Sequence, residues 1–139
     1  MKKIFYLLEF VLIKILFILF KIIGYKTSSN LGFFIGKTFG PIFRSKKLII
    51  KNLKQANIKN HNNHEKIAIN VLGNYGRIFS EYVYLKDFRN NKLKKYISIE
   101  GLEHLENLKK SKKNAVFISG HINNFELIAR DMEKAGYEL

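Results

Sequence analysis

The residues best equipped for chemistry lie near the end of the chain, in Gly120-His121-Ile122-Asn123-Asn124-Phe125-Glu126. An imidazole at the start of a helix, with a carboxylate close by, suits a general base and its orienting partner. The imidazole draws a proton from an attacking hydroxyl, and the carboxylate fixes the tautomer and stabilises the imidazolium. A positive helix end also disfavours the imidazolium and keeps the base ready to accept. Spacing limits the idea. Five positions on a continuous helix turn about 500°, which leaves the two side chains roughly 140° apart. His121 and Glu126 therefore meet only if His121 sits in a loop and the chain folds over before Glu126. Gly120, Asn123 and Asn124 are suitable turn formers. Ser119 offers a second arrangement, as a nucleophile served by His121. On spacing alone, the histidine equally suits a structural place in a turn.

The elements that must position this stretch are read from apolar patterning. Residues 115–119, Ala-Val-Phe-Ile-Ser, form a short apolar run bounded by turn residues, as in a strand buried in a parallel sheet. Chemistry in open α/β sheets gathers just beyond the carboxyl ends of strands, which is where His121 falls. A helix is expected over residues 127–135, with Leu127, Ile128 and Met132 as its buried positions. Upstream, residues 96–100 alternate apolar and polar and read as a strand. Residues 102–110 read as a helix with Leu102, Leu105 and Leu108 on one face. Together these give a strand–helix–strand unit.

Residues 65–85 carry the clearest soluble-type helical pattern. Ile67, Val71, Tyr75, Ile78 and Tyr82 form one line, and Ala68, Leu72, Phe79 and Val83 lie beside it. Gly73 and Gly76 weaken that helix by roughly 1 kcal/mol each relative to alanine, which implies close packing there. Arg77 and Glu81 are i, i+4 neighbours and suit a surface ion pair. Gly32, Gly36 and Gly40 recur every fourth residue within 31–43 and suit close packing against another helix; with Pro41 they equally suit loops. Residues 24–30 read as a turn able to cap the next helix, and 57–64 as a polar loop. His61 and His64 have helix-like spacing, but no carboxylate or cysteine accompanies them, and no metal site is expected.

Residues 4–23 are almost wholly apolar, about the 20 residues needed to cross a bilayer core, interrupted by Glu9 and Lys14. A single spanning helix and an interfacial helix both fit; Lys3, Lys14 and Lys21 fall within about 20° of one another. The chain has 139 residues, no cysteine and a net charge of +14. Residues 1–60 hold twelve Lys or Arg against Glu9 alone, so +11 of that charge flanks the most apolar part of the chain. That placement favours an anionic membrane surface over nucleic acid, for which no binding module is recognisable. Disulfides and thiolate metal sites are excluded.

Several motifs together resemble the bacterial lipid A biosynthesis acyltransferases, the lauroyl/myristoyl transferase family, within the wider group of H-x4-D/E glycerolipid acyltransferases. Residues 120–126 are similar to its G/S-H-x-G-N-W-E signature. Lys51-Asn52-Leu53 resembles its basic run followed by Asn-Leu, and Asn74-Tyr75-Gly76-Arg77 with Glu81 resembles its N-x-G-R…E helix. Ile99-Glu100-Gly101-Leu102-Glu103-His104-Leu105 is similar to its I-E-G-x-E-x-L strand. The departures are Asn123 for the usual glycine and Phe125 for tryptophan.

The resemblance implies acyl transfer from acyl carrier protein to a hydroxyl of a lipid A precursor, without a cofactor or metal. His121 would be the base, Glu126 its partner, and Asn124, Arg77 and Glu81 substrate-binding or loop-shaping residues. It implies an α/β fold, in which an N-terminal membrane helix and a helical region precede the start of an acyltransferase-type sheet. The expected organisation is a membrane-anchoring helix at 1–23 and, at 24–139, the N-terminal part of the acyltransferase domain. The family's chains are about twice this length, so this stretch is expected to be inactive alone. The implied partners are acyl carrier protein, a glycolipid acceptor and the anionic membrane. The implied location is the bacterial inner membrane, with the catalytic part on the cytoplasmic side. Two alternatives stay open: an acyltransferase acting on another glycolipid or a lysophospholipid, and a non-catalytic membrane-anchored adaptor.

Overall fold

The computed structural model describes residues 2–57, 63–111, 116–120, 122–124, 126–134 and 136; for Glu126, Asp131 and Lys134 this covers the backbone alone. The chain divides into two compact units, Met1–Tyr84 and Leu85–Leu139.

The first unit is helical. Helix α1 (Lys2–Ile23) is built from leucine, isoleucine and phenylalanine and stops at Gly24, whose φ of 82° lies where a side chain is disfavoured. The carbonyl of Phe20, near that end, accepts hydrogen bonds from Ser28 Oγ at 3.1 Å and from the Tyr84 hydroxyl. Phe20 itself is buried, and Phe17 meets Phe79 with ring centroids 5.2 Å apart. Helix α2 (Tyr25–Phe43) begins directly after Gly24, so the expected seven-residue turn shrinks to one residue. Pro41 lies in its last turn. Helix α3 (Lys46–Gln55) buries Ile49 and half-buries Ile50 and Leu53 against Ala68 and Leu72 of α4 (His64–Glu81). A 3-10 turn, Tyr82–Tyr84, closes the unit.

The glycines decide how α2 and α4 meet. A Cβ added at Gly36 would stand 2.5 Å from Leu72 O and 2.9 Å from Gly76 Cα. One added at Gly32 would stand 2.5 Å from Gly76 O, and one at Gly73 would stand 2.6 Å from the Phe33 ring. The helices therefore touch backbone to backbone along Gly32, Gly36 and Gly76, as small-residue spacing allows. Ser80, fully buried, continues this line. The buried side of α4 runs through Ala68, Leu72, Gly73 and Ser80, while Tyr75 and Tyr82 of the expected apolar stripe remain exposed.

The second unit holds α5 (Leu85–Arg89), a 3-10 turn (Lys94–Tyr96), α6 (Leu102–Ser111) and α7 (Glu126–Lys134). Two expectations fail here. First, the described residues contain no strand, so the α/β sheet is not supported. Tyr96 ends a 3-10 turn, and residues 97–100 and 116–120 are irregular; Ala115 lies outside the described residues. A strand is stable only through hydrogen-bonded neighbours, and two strands without further sheet have too little to pair with. Val116 and Ile118, expected in a sheet core, are 89 % and 94 % exposed. Second, no helix among the described residues is long and apolar enough to cross a membrane. Helix α1 has the length, but Lys2, Lys3, Glu9, Lys14 and Lys21 are spread along it, and ionised groups at bilayer depth are costly. The spanning reading of residues 1–23 is therefore corrected.

Candidate functional site

The motif that carries the proposed chemistry lies in the second unit. His121 and Phe125 fall outside the described residues; the chain is described on either side of each. Before the histidine, Ser119 is exposed and its Oγ lies 3.4 Å from Gly120 O. After it, Ile122 N–H donates to Gly120 O at 2.8 Å, and Leu127 N–H donates to Asn124 O at 3.0 Å. Helix α7 starts at Glu126, and the described residues 122–124 ahead of it are not helical. Asn123 has φ 50°, in the left-handed region that glycine favours and asparagine tolerates. Asn123 can therefore serve where the resembled signature has glycine. Asn124 is half-buried beside it.

Beside this loop the second unit forms an open, mostly apolar cleft of about 540 Å³. Ile97 and Ile99 line one side, Leu105 and Leu108 of α6 another, and Phe117, Leu127 and Met132 the rest. Both segments expected as strands thus contribute side chains to a cleft instead of to a sheet. Its polar lining includes His104, exposed and 3.7 Å from Glu103.

Arg77 and Glu81 belong to the first unit. The Arg77 guanidinium lies 4.6 Å from the centre of the Phe33 ring, a cation–π contact between α4 and α2. Its Nε, buried, has no hydrogen-bond partner among the described residues. Glu81 is 5 % exposed, and its Oε1 accepts from Ser29 Oγ at 2.6 Å and from the Tyr25 hydroxyl at 3.3 Å. The carboxylate therefore ties the start of α2 to the end of α4. Glu81→Ala leaves two hydroxyls without this acceptor, and we expect it to cost about 2–3 kcal/mol, with Glu81→Gln recovering part of that. Urea unfolding of the two variants checks this; a stable Glu81→Ala protein would refute the tie.

Sequence reasoning missed Arg130. It is 5 % exposed on α7, and its Nη1 donates to Phe88 O on α5 at 2.8 Å. With Lys86 and Arg89 it lines a basic cleft of about 420 Å³. At 100° per residue it lies about 60° from Leu127 but about 160° from Ile128 and Met132, so the face read as buried gave no signal for it. Arg130→Met keeps the apolar stem and loses the charged bond. An expected loss of about 2 kcal/mol in the second unit is measurable by thermal unfolding.

The family model described as bacterial lipid A biosynthesis acyltransferase matches residues 1–139. The chain belongs to that family. This membership carries an acyltransferase-type function in lipid A biosynthesis. No curated protein and no solved structure matches the chain. The lipid A acyltransferase motif at residues 120–126 and the apolar cleft lie in the same compact unit.

Proposed function

We propose that the protein transfers an acyl chain from the thioester of an acyl carrier protein to a hydroxyl of a lipid A precursor. The observation that carries this reading is the family match over residues 1–139. His121 is the general base, Glu126 holds its tautomer, and Asn124 shapes the loop between them. As the acceptor oxygen attacks the thioester carbonyl, its proton passes to the imidazole and a tetrahedral oxyanion forms. Collapse breaks the C–S bond, and the imidazolium returns the proton to the departing thiolate. The products are the new ester and the free thiol of the carrier.

The apolar cleft supports this reading because it gives an acyl chain somewhere to lie out of water, close to the loop along the chain. The reaction belongs at the cytoplasmic face of the inner membrane, where both substrates meet. The test incubates the full-length protein with acyl-loaded carrier protein and lipid A precursor and follows the acceptor by mass spectrometry. A gain of one acyl chain is expected. Acylation of a lysophospholipid in place of the precursor would overturn the acceptor, and no transfer to either would overturn the reading.

A further inference from the structure

The basic cleft of the second unit takes no part in the proposed proton transfer, and its lining is that of an anion site. Helix α5 contributes Leu85, Lys86 and Arg89 to it, and α7 contributes Leu127 and Arg130. The three α5 positions span about 100° of that helix, with Arg89 between the other two. Asp87, the one acid of α5, lies about 100° from Lys86 and 160° from Arg89. Its carboxylate has Lys92 Nζ at 4.0 Å. Among the described residues that line the cleft, none is acidic. Lys86 and Arg89 are exposed, whereas Arg130 is 5 % exposed and its Nη1 donates to Phe88 O at 2.8 Å. One cation is thus fixed in the wall, and two others can adjust to what enters.

Three cations round a space of about 420 Å³ suit a phosphate. A guanidinium fork matches two phosphate oxygens at once, and a lysine adds a point charge. A phosphomonoester carries about −1.5 to −2 charge at neutral pH, so it gains more from three cations than a carboxylate does. The neighbouring space says what bears the phosphate. Leu127 lines both this cleft and the apolar one of about 540 Å³, which Leu105, Phe117 and Met132 also line. A phosphate in the first and a hydrocarbon chain in the second therefore lie on two sides of one side chain. A nucleotide or a sugar phosphate leaves the apolar side empty; a phosphorylated lipid fills both. The phosphopantetheine of a carrier protein also bears a phosphate, but the whole length of its arm separates that phosphate from the acyl group.

We propose that the cleft between α5 and α7 holds the phosphate of a phosphorylated lipid, through Arg130, Arg89 and Lys86. This deepens the acyl-transfer reading and rests on it for one point, that the lipid is the glycolipid acceptor. Binding is measured with no acyl donor present, so its outcome does not depend on whether transfer occurs. The full-length protein in dodecyl maltoside micelles is titrated with dodecyl phosphate and followed by phosphorus NMR. A saturable change in the phosphate resonance is expected. Lys86→Gln combined with Arg89→Gln should weaken it by about tenfold or more. Both side chains are exposed, so the circular dichroism spectrum should not change. Lys51→Gln combined with Lys54→Gln removes the same charge from exposed positions of α3 and should change binding by less than about twofold. Equal losses in the two double variants would reduce the effect to general charge attraction and overturn the site, as would undiminished binding by the first. Inorganic phosphate competing as well as dodecyl phosphate would refute the part given to the lipid chain. Phosphopantetheine displacing the probe better than inorganic phosphate does would assign the cleft to the carrier's arm and overturn the lipid.

Discussion

A single methyl group at Gly76 is expected to cost the first unit about 2–3 kcal/mol, a large share of a small domain's stability. A Cβ there would stand 2.7 Å from both Cα and N of Gly36 and closer still to Gly32 O. Its neighbours are backbone atoms of α2, so no rotamer change relieves the contact and the helices must separate. Alanine's higher helix propensity, about 1 kcal/mol over glycine, works against the loss without cancelling it. Gly24→Ala is the useful contrast: nothing lies within 4 Å of its Cβ, and only the positive φ of 82° penalises it. Gly36→Ala and Gly76→Ala together should cost less than the sum of the two, since the first already parts the helices. Urea unfolding followed by circular dichroism measures all four proteins. An unchanged midpoint for Gly76→Ala would deny the backbone contact its energetic weight.

That contact was partly legible before any coordinates: the four-residue spacing of Gly32, Gly36 and Gly40 offered close helix packing, with loops as the other reading, and the helical course of α2 through Pro41 decides between them. The turn before α2 was not so legible: Ser28, which suits a cap, instead spends its hydroxyl on Phe20 O across Gly24. The sheet was less legible still. An apolar run such as residues 115–119 has the composition of a buried strand, but strand formation depends on a pairing partner far along the chain, and the described residues form no strand. Helix α1 shows a third kind of difficulty. Its length and apolar content alone fit a spanning helix, and only its charged residues keep it from being apolar enough to cross a membrane.

Site residues divide in the same way. The histidine motif announces itself through chemistry and spacing, and Asn123, where the resembled signature has glycine, takes a left-handed φ that glycine favours. Glu81 reads as a surface partner of Arg77 because those two are close in sequence. Two of its hydrogen-bond partners lie 52 and 56 residues away, on a helix that arrives only once the glycines have let it approach. Burial of this sort is a tertiary fact that local spacing does not contain.

His121→Ala in the full-length protein is expected to reduce acyl transfer by about 10²–10⁴-fold, the usual contribution of a general base. The loss should appear equally in kcat and kcat/KM, because proton removal stabilises the transition state and not the bound substrates. Glu126→Gln removes the charge that steadies the imidazolium and should cost a comparable factor, as wrong-tautomer variants do. Combining the two changes should add little to the His121→Ala loss, since the pair acts as a unit. Ser119→Ala separates this from the nucleophile arrangement: with His121 as base toward the acceptor, the serine is dispensable and transfer should persist. A stable acyl-enzyme in the wild type, lost in Ser119→Ala, would instead move the chemistry to the serine. Undiminished transfer by a folded His121→Ala protein would remove the histidine from the mechanism altogether.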